Sequence, residues 1–134
     1  MLVVDDNDDA AESLAVLLAF DGAEAKVEHD ATNIVAVVSE FNPALILLDL
    51  ELPVVDGFQA CHQIRTLKGD GVYIAAITGW SREEDRARSL AAGFDSHLLK
   101  PISTPRLEQL CQVALARQRA TYAYVNAESR LRKP

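Results

Sequence analysis

Apolar and polar positions along the chain alternate between two patterns. Short apolar runs occupy residues 2–4, 25–27, 44–48, 72–77 and 97–99. They are too short for helices. The third and fourth are nearly unbroken Leu, Ile, Val and Ala, which suits strands buried on both faces of a parallel sheet. Between the runs, apolar residues recur at helical spacing. Ala11, Leu14 and Leu18 form one stripe, and Ile34, Val37, Val38 and Phe41 a second. Phe58, Cys61 and Ile64 form a third, and Ala87, Leu90 and Ala91 a short fourth. Leu107, Leu110, Cys111 and Ala114 form the fifth. Gly22 and Gly93 stand where C-terminal helix caps are expected, and Gly69 and Gly71 bracket the turn into the fourth run. Pro43 closes the second helix, and Ser81 with Glu84 reads as a capping box opening the fourth. Five repeats of strand then helix, joined by right-handed crossovers, predict a doubly wound α/β domain. Its five-stranded parallel sheet has helices on both faces. From about Arg119 the stripe is lost, so the last helix is expected to continue for a turn or two and then fray.

Composition narrows this picture. A chain of 134 residues is one domain. Five β-α units need roughly 110–130 residues, which leaves little beyond a tail and no expected DNA-binding or kinase domain. Aromatics are only 6% against 49% apolar residues, so the core must be mostly Leu, Val, Ile and Ala. The net charge of −7 is uneven: residues 1–116 carry 8 basic and 19 acidic groups, residues 117–134 carry 5 and 1. An acidic body repels nucleic acid, so none is expected as a direct partner, and a short basic tail is weak evidence for a polyanion. Cys61 and Cys111 lie in separate helical stripes with no C-x-x-C, which points to reduced core residues. No basic-then-apolar leader opens the chain, and no apolar run approaches the roughly 20 residues that span a bilayer. A cytoplasmic protein with no membrane association is expected.

Ligands of open α/β sheets bind beyond the carboxyl ends of the strands. The first strand ends in Asp5-Asp6, the third in Asp49, the fourth in Thr78, and the fifth in Lys100 before Pro101. The second ends in Glu28-His29-Asp30, expected at the sheet edge, away from the centre. Three carboxylates gathered together repel one another, and a divalent cation relieves the repulsion. Hard oxygen ligands select Mg2+. A Lys and a Thr beside such a cation are what a transferred phosphoryl group needs, and a carboxylate can itself become an acyl phosphate. The residues therefore read as a Mg2+-dependent phosphoaspartate site. Asp5 and Asp6 alone could merely favour a helix N-terminus, but that does not account for the other strand-end groups. Asp56-Gly57 reads as a turn before the third helix, and His29 and His62 as solvated.

At this point a resemblance becomes specific. The stretches Leu2-Val3-Val4-Asp5-Asp6-Asn7, Leu47-Leu48-Asp49-Leu50-Glu51-Leu52-Pro53-Val54-Val55-Asp56-Gly57, Ile77-Thr78-Gly79 and Leu99-Lys100-Pro101 resemble a response-regulator receiver domain of two-component signalling. The likeness covers about residues 1–118, leaving 119–134 as a helical extension or tail. Residues 76–80 and 98–101 look most like receivers attached to hybrid sensor kinases. The resemblance implies a flavodoxin-like sheet with strand order 2-1-3-4-5 and five helices. It implies that Asp49 accepts a phosphoryl group from a histidine kinase or histidine phosphotransfer protein. Asp6 and Asp49 would ligate Mg2+ directly and Asp5 directly or through water, with the backbone carbonyl of Glu51 as a further ligand. Thr78 and Lys100 would bond phosphoryl oxygens, and the Lys100–Pro101 peptide is usually cis in this family. The output face would be the fourth helix, fifth strand and fifth helix, here Arg82, Glu83, Arg86, His97, Arg106 and Gln109, suited to an unknown downstream protein. A monomer or weak homodimer is expected.

The chain departs from the family pattern at two places. The family usually carries Tyr or Phe three residues before the lysine, where this chain has His97. This implies weaker or pH-sensitive switching, or a neutral substitute with no sensing role. Glu51 and Trp80 stand where the family tunes phosphoryl lifetime, and a carboxylate and a bulky ring there are expected to slow hydrolysis. Two other readings compete with the switch. A small Mg2+-dependent aspartyl phosphatase usually has a second Asp two residues after the nucleophile, where this chain has Glu51. A pseudo-receiver that never carries phosphate would not need the full set Asp5, Asp6, Asp49, Thr78 and Lys100. The chain is therefore expected to be no enzyme beyond self-phosphorylation from small donors and autodephosphorylation.

Overall fold

A computed structural model describes residues 1–20, 22–79 and 83–131. Five strands alternate with five helices: β1 (Leu2–Val4), α1 (Asp8–Phe20), β2 (Lys26–Glu28), α2 (Ile34–Phe41), β3 (Leu45–Asp49), α3 (Gly57–Lys68), β4 (Tyr73–Thr78), α4 (Glu83–Ala92), β5 (Ser96–Leu99) and α5 (Thr104–Leu131). A single 3-10 turn, Gly69–Gly71, links α3 to β4. The strands form one sheet in the order β2-β1-β3-β4-β5, and every pairing is parallel. This is the doubly wound sheet expected from the alternation, with the flavodoxin-like strand order that the resemblance implies.

The central strands β3 and β4 are buried at every position. Alternate residues feed two separate cores. Leu2, Val4, Ile46, Leu48, Ile74 and Ala76 face α2 and α3, where Ile34, Val38, Cys61 and Ile64 meet them. Val3, Leu45, Leu47, Ala75 and Ile77 face α1 and α5, against Leu18, Leu107, Leu110 and Ala114. Both cysteines are buried and neither is in a disulfide.

Local signals account for most helix ends. The Asn7 side chain accepts from the Ala10 amide at 3.0 Å and caps α1. Asp56 caps α3 by accepting from the Gln59 amide at 2.9 Å. Asn42, in the left-handed region, ends α2 just before Pro43. Gly22 and Gly93 take positive φ at the ends of α1 and α4, as C-terminal caps do. Ser81, half of the expected capping box, lies outside the described residues, as do Trp80 and Arg82.

Two expectations need correction. Ala87, Leu90 and Ala91 do not form the inward stripe of α4: all three are exposed. The inward positions are instead Asp85, Ser89 and Ala92, with Ser89 fully buried. This helix lies at the sheet's edge beside β5 and α3, so it has little apolar surface to cover. The last helix also runs further than a turn or two past Arg119, reaching Leu131. Ala, Arg and Glu in that stretch favour helix without a core to pack on.

Candidate functional site

Parallel pairing brings the ends of β1, β3, β4 and β5 to one edge. Asp5, Asp6 and Asp49 converge there, each with a carboxylate oxygen within 4.8 Å of the others. Asp5 and Asp49 are buried, while Asp6 is exposed. Lys100, just past β5, reaches across: its Nζ lies 2.7 Å from Asp5 Oδ2 and 3.3 Å from Asp49 Oδ2. Backbone amides fix the other oxygens. Asn7 donates to Asp5 Oδ1 and Glu51 to Asp49 Oδ1, each at 3.0 Å. Thr78 is buried at the end of β4, and the Lys100–Pro101 peptide is cis.

Charge and burial compete at this edge. Burial pushes the Asp49 carboxyl above its ordinary value. The Glu51 amide and Lys100 pull it back, the neighbouring Asp5 adds to the rise, and the net direction is up. Burial alone would lower the Lys100 pKa, but its pairing with Asp5 and Asp49 outweighs that and holds it raised. The donor set suits a small hard cation. It is all oxygen, with two buried carboxylates and an exposed third where bound waters have room. Asp5 Oδ2 is buried with the ammonium as an ion pair but no aligned hydrogen bond, so it retains lone pairs for a second cation.

Several features at and around this edge were not legible as motifs. A Cβ on Gly57 would lie 2.6 Å from the Asp49 carbonyl oxygen and 2.8 Å from Leu50 Cα. Gly57 therefore lets α3 start directly against the backbone that carries Asp49, beyond the turn role read from Asp56-Gly57. His29 is exposed as expected, yet its Nδ1 lies 3.1 Å from Asp8 Oδ1 and 3.4 Å from the Asp5 carbonyl. The end of β2 lies at the sheet edge as expected, and through His29 it touches the loop after β1. Val54, at the rim, holds a positive φ of 67°, rare for a β-branched residue.

His97 points into the layer beneath α4. It is registered opposite Ala76 on β4, two residues before Thr78, so the three side chains share a face of the sheet. Ser89 Oγ donates to the Asp85 carbonyl at 2.9 Å. Its lone pairs then accept from His97 Nδ1 at 2.7 Å. That assigns the ring proton to Nδ1 and leaves Nε2 buried without a hydrogen bond. Burial, helped by Arg86 and opposed by Asp85, holds the imidazole below its ordinary pKa. A charge change between pH 6 and 8, the basis of the pH-sensitive reading, therefore moves to the acid side of that window.

Comparisons with known proteins agree with this geometry. The family model described as the response regulator receiver domain matches residues 1–112. The chain is 34% identical over 113 residues to an uncharacterized 14.6 kDa protein in the sodA1 3′ region of Leptolyngbya boryana, covering 84% of this chain and 86% of that one. It is 35% identical over 120 residues to response regulator MprA of Mycobacterium avium, covering 90% of this chain and 49% of MprA. It thus spans about half the length of its MprA relatives. A CheY-like receiver domain protein from Methanospirillum hungatei superposes with a TM-score of 0.79 at 26% identity, covering 89% of this chain and 95% of that one. The receiver domain of NtrX from Brucella abortus does so at 0.77 and 26%, covering 86% and 97%. No helix among the described residues is long and apolar enough to cross a membrane. The chain belongs to the response regulator receiver domain family.

Proposed function

We propose that Asp49 is the phosphoacceptor of this receiver and that its phosphorylation shifts the domain between two states read by a protein partner. The observation that carries the reading is the buried Asp49 carboxylate, paired by a lysine that also holds Asp5. An oxygen of Asp49 attacks the phosphorus of a phosphohistidine on a histidine kinase or phosphotransfer protein. The P–N bond breaks, the histidine leaves with the bonding pair, and an acyl phosphate remains on Asp49. Lys100 pairs with one phosphoryl oxygen and Thr78 donates its hydroxyl to another. Asp5, Asp6, Asp49 and the Glu51 carbonyl would hold Mg2+, which when bound neutralises charge on the phosphoryl oxygens. Small donors can replace the kinase, and attack of water on the acyl phosphate returns the free carboxylate. The exposed Glu51 carboxylate beside that path would slow the attacking water by like charge near the phosphoryl group.

Residues 1–118 serve as the receiver and 119–134 as its extension, in a cytoplasmic setting. The output face includes Glu83, Arg86, His97, Arg106 and Gln109. Because His97 is tethered to α4 through Ser89, a shift of Thr78 toward the phosphoryl group would be passed to α4 by that hydrogen bond, where family members rely on a larger ring.

The test is incubation with acetyl phosphate and Mg2+ followed by intact mass. We expect the gain of one phosphoryl group, absent without Mg2+ and absent in Asp49→Asn. No gain from acetyl phosphate or from a phosphorylated phosphotransfer protein would favour a pseudo-receiver.

A further inference from the structure

Three clefts of about 300, 240 and 360 Å3 adjoin one another at the end of the sheet opposite the carboxylates. All three share Asn42, at the end of α2, and Gln118, on α5. Together they make one groove between the length of α5 and the ends of α2 and α3. Cys111, Leu115, Gln118, Tyr122 and Val125 line it from the α5 side. Their separations alternate between four and three residues, the spacing at which one helix presents a seam to another. The core does not impose this seam. Cys111 opens it at the edge of the core, and beyond it Leu115, Tyr122 and Val125 leave 40%, 69% and 55% of their surfaces exposed.

Charge selects what fits the groove. Lys68, at the end of α3, donates to Asn42 Oδ1 at 3.0 Å, and Arg119 lines the groove beside the same Asn42. Among the described residues neither forms an ion pair. Two cations thus flank an apolar seam on a body whose residues 1–116 carry 8 basic and 19 acidic groups. A second copy of α5 would bring its own basic continuation against them, since residues 117–134 carry 5 basic and 1 acidic groups. Like charges facing each other across an interface suppress that pairing. A lipid surface takes up a helix face that stands clear of its neighbours, whereas the ends of α2 and α3 wall this seam on one side.

We propose that this groove docks an amphipathic α-helix of another protein. Apolar residues of that helix meet Leu115, Tyr122 and Val125, and its acidic flank faces Lys68 and Arg119. From Cys111 to Val125 the seam runs roughly 21 Å at 1.5 Å per residue, room for about four turns of the partner helix. Glu24 stands on the wall at the Cys111 end, so the acidic residues of the partner belong at the Tyr122 end. The assignment does not depend on phosphorylation of Asp49.

Two synthetic helical peptides of about 15 residues test it by fluorescence anisotropy with the full chain. Both carry Leu at alternating three- and four-residue spacing. One has Glu along the flank of one half, and the other has Lys there. The Glu peptide should bind at least about tenfold more tightly than the Lys peptide. Tyr122→Ala, at an exposed position, should weaken it about tenfold with unchanged circular dichroism. The double variant Lys68→Glu, Arg119→Glu should reverse the preference between the peptides, which loss of folding does not do. No binding of the Glu peptide at about 1 mM, equal affinity for both peptides, indifference to Tyr122→Ala, or an unreversed preference would overturn the proposal. So would self-association of the chain, or binding to phosphatidylserine vesicles, that Tyr122→Ala abolishes, since each gives the seam to a different occupant.

Discussion

The carboxyl of Asp49 is held above its ordinary value by burial, with Asp5 adding to the rise. The folded state therefore binds this proton more tightly than the unfolded chain does. As pH rises through the ordinary carboxylate value of 3.8, stability is lost until the raised pKa is passed, and at neutral pH the cost is complete. Asp49→Asn removes the charge, and thermal melts should show a higher Tm than the parent at pH 7, with the gain shrinking toward pH 4. His97 has the opposite dependence. Its lowered pKa contributes stability at neutral pH that is lost as pH falls below the ordinary imidazole range. Gly57 presents a steric matter instead. A methyl group there would strike backbone at 2.6 and 2.8 Å, and backbone cannot rotate away. Gly57→Ala should cost about 2 kcal/mol in urea unfolding, by overpacking, and slow phosphorylation by acetyl phosphate. The residue types at Asp5, Asp6, Asp49, Thr78 and Lys100 were legible because each interrupts or ends an apolar run. The need for glycine at 57 and the role of Ser89 were not, because both arise only from how a helix packs against the neighbouring strand's end or side chain.

Among the elements, α4 is the one whose packing departs from its pattern. Ala87, Leu90 and Ala91 face solvent, Leu90 with 59% of its surface exposed, and the helix's inward face carries Ser89 hydrogen-bonded to His97. The strands were readable because burial on both faces demands an unbroken apolar run. An edge helix faces no such demand, so its inward side can be polar. What holds this end of the fold is a carboxylate. Asp95, between α4 and β5, accepts from Arg65 at 2.6 Å, from the Ile74 amide at 2.8 Å and from Arg117 at 2.8 Å. Arg65 also donates to the Gly93, Gly69 and Val72 carbonyls. One side chain therefore joins α3, β4 and α5. Removing it leaves two half-buried guanidinium groups and an amide short of an acceptor. Asp95→Ala should cost about 2–3 kcal/mol in chemical denaturation, with the site geometry at the far edge and its phosphorylation retained.

For the whole molecule, the alternation of strand and helix was enough to give a doubly wound parallel sheet with right-handed crossovers, and the strand order came from the family resemblance. The site followed from that topology, because parallel strands deliver all their carboxyl ends to one edge. The length of α5 did not follow. Helix-forming residues sustain it past the last core position, and no apolar stripe marks its end. Arg117 grips the body through Asp95 and by stacking over the Tyr73 ring at 4.9 Å, and one turn on Thr121 comes beside Gly71. From Arg117 to Leu131 the helix extends roughly 20 Å at 1.5 Å per residue. A displacement of the body at these joints is therefore passed to the helix as a tilt, and a tilt of about 5° carries its far end through roughly 2 Å at that length.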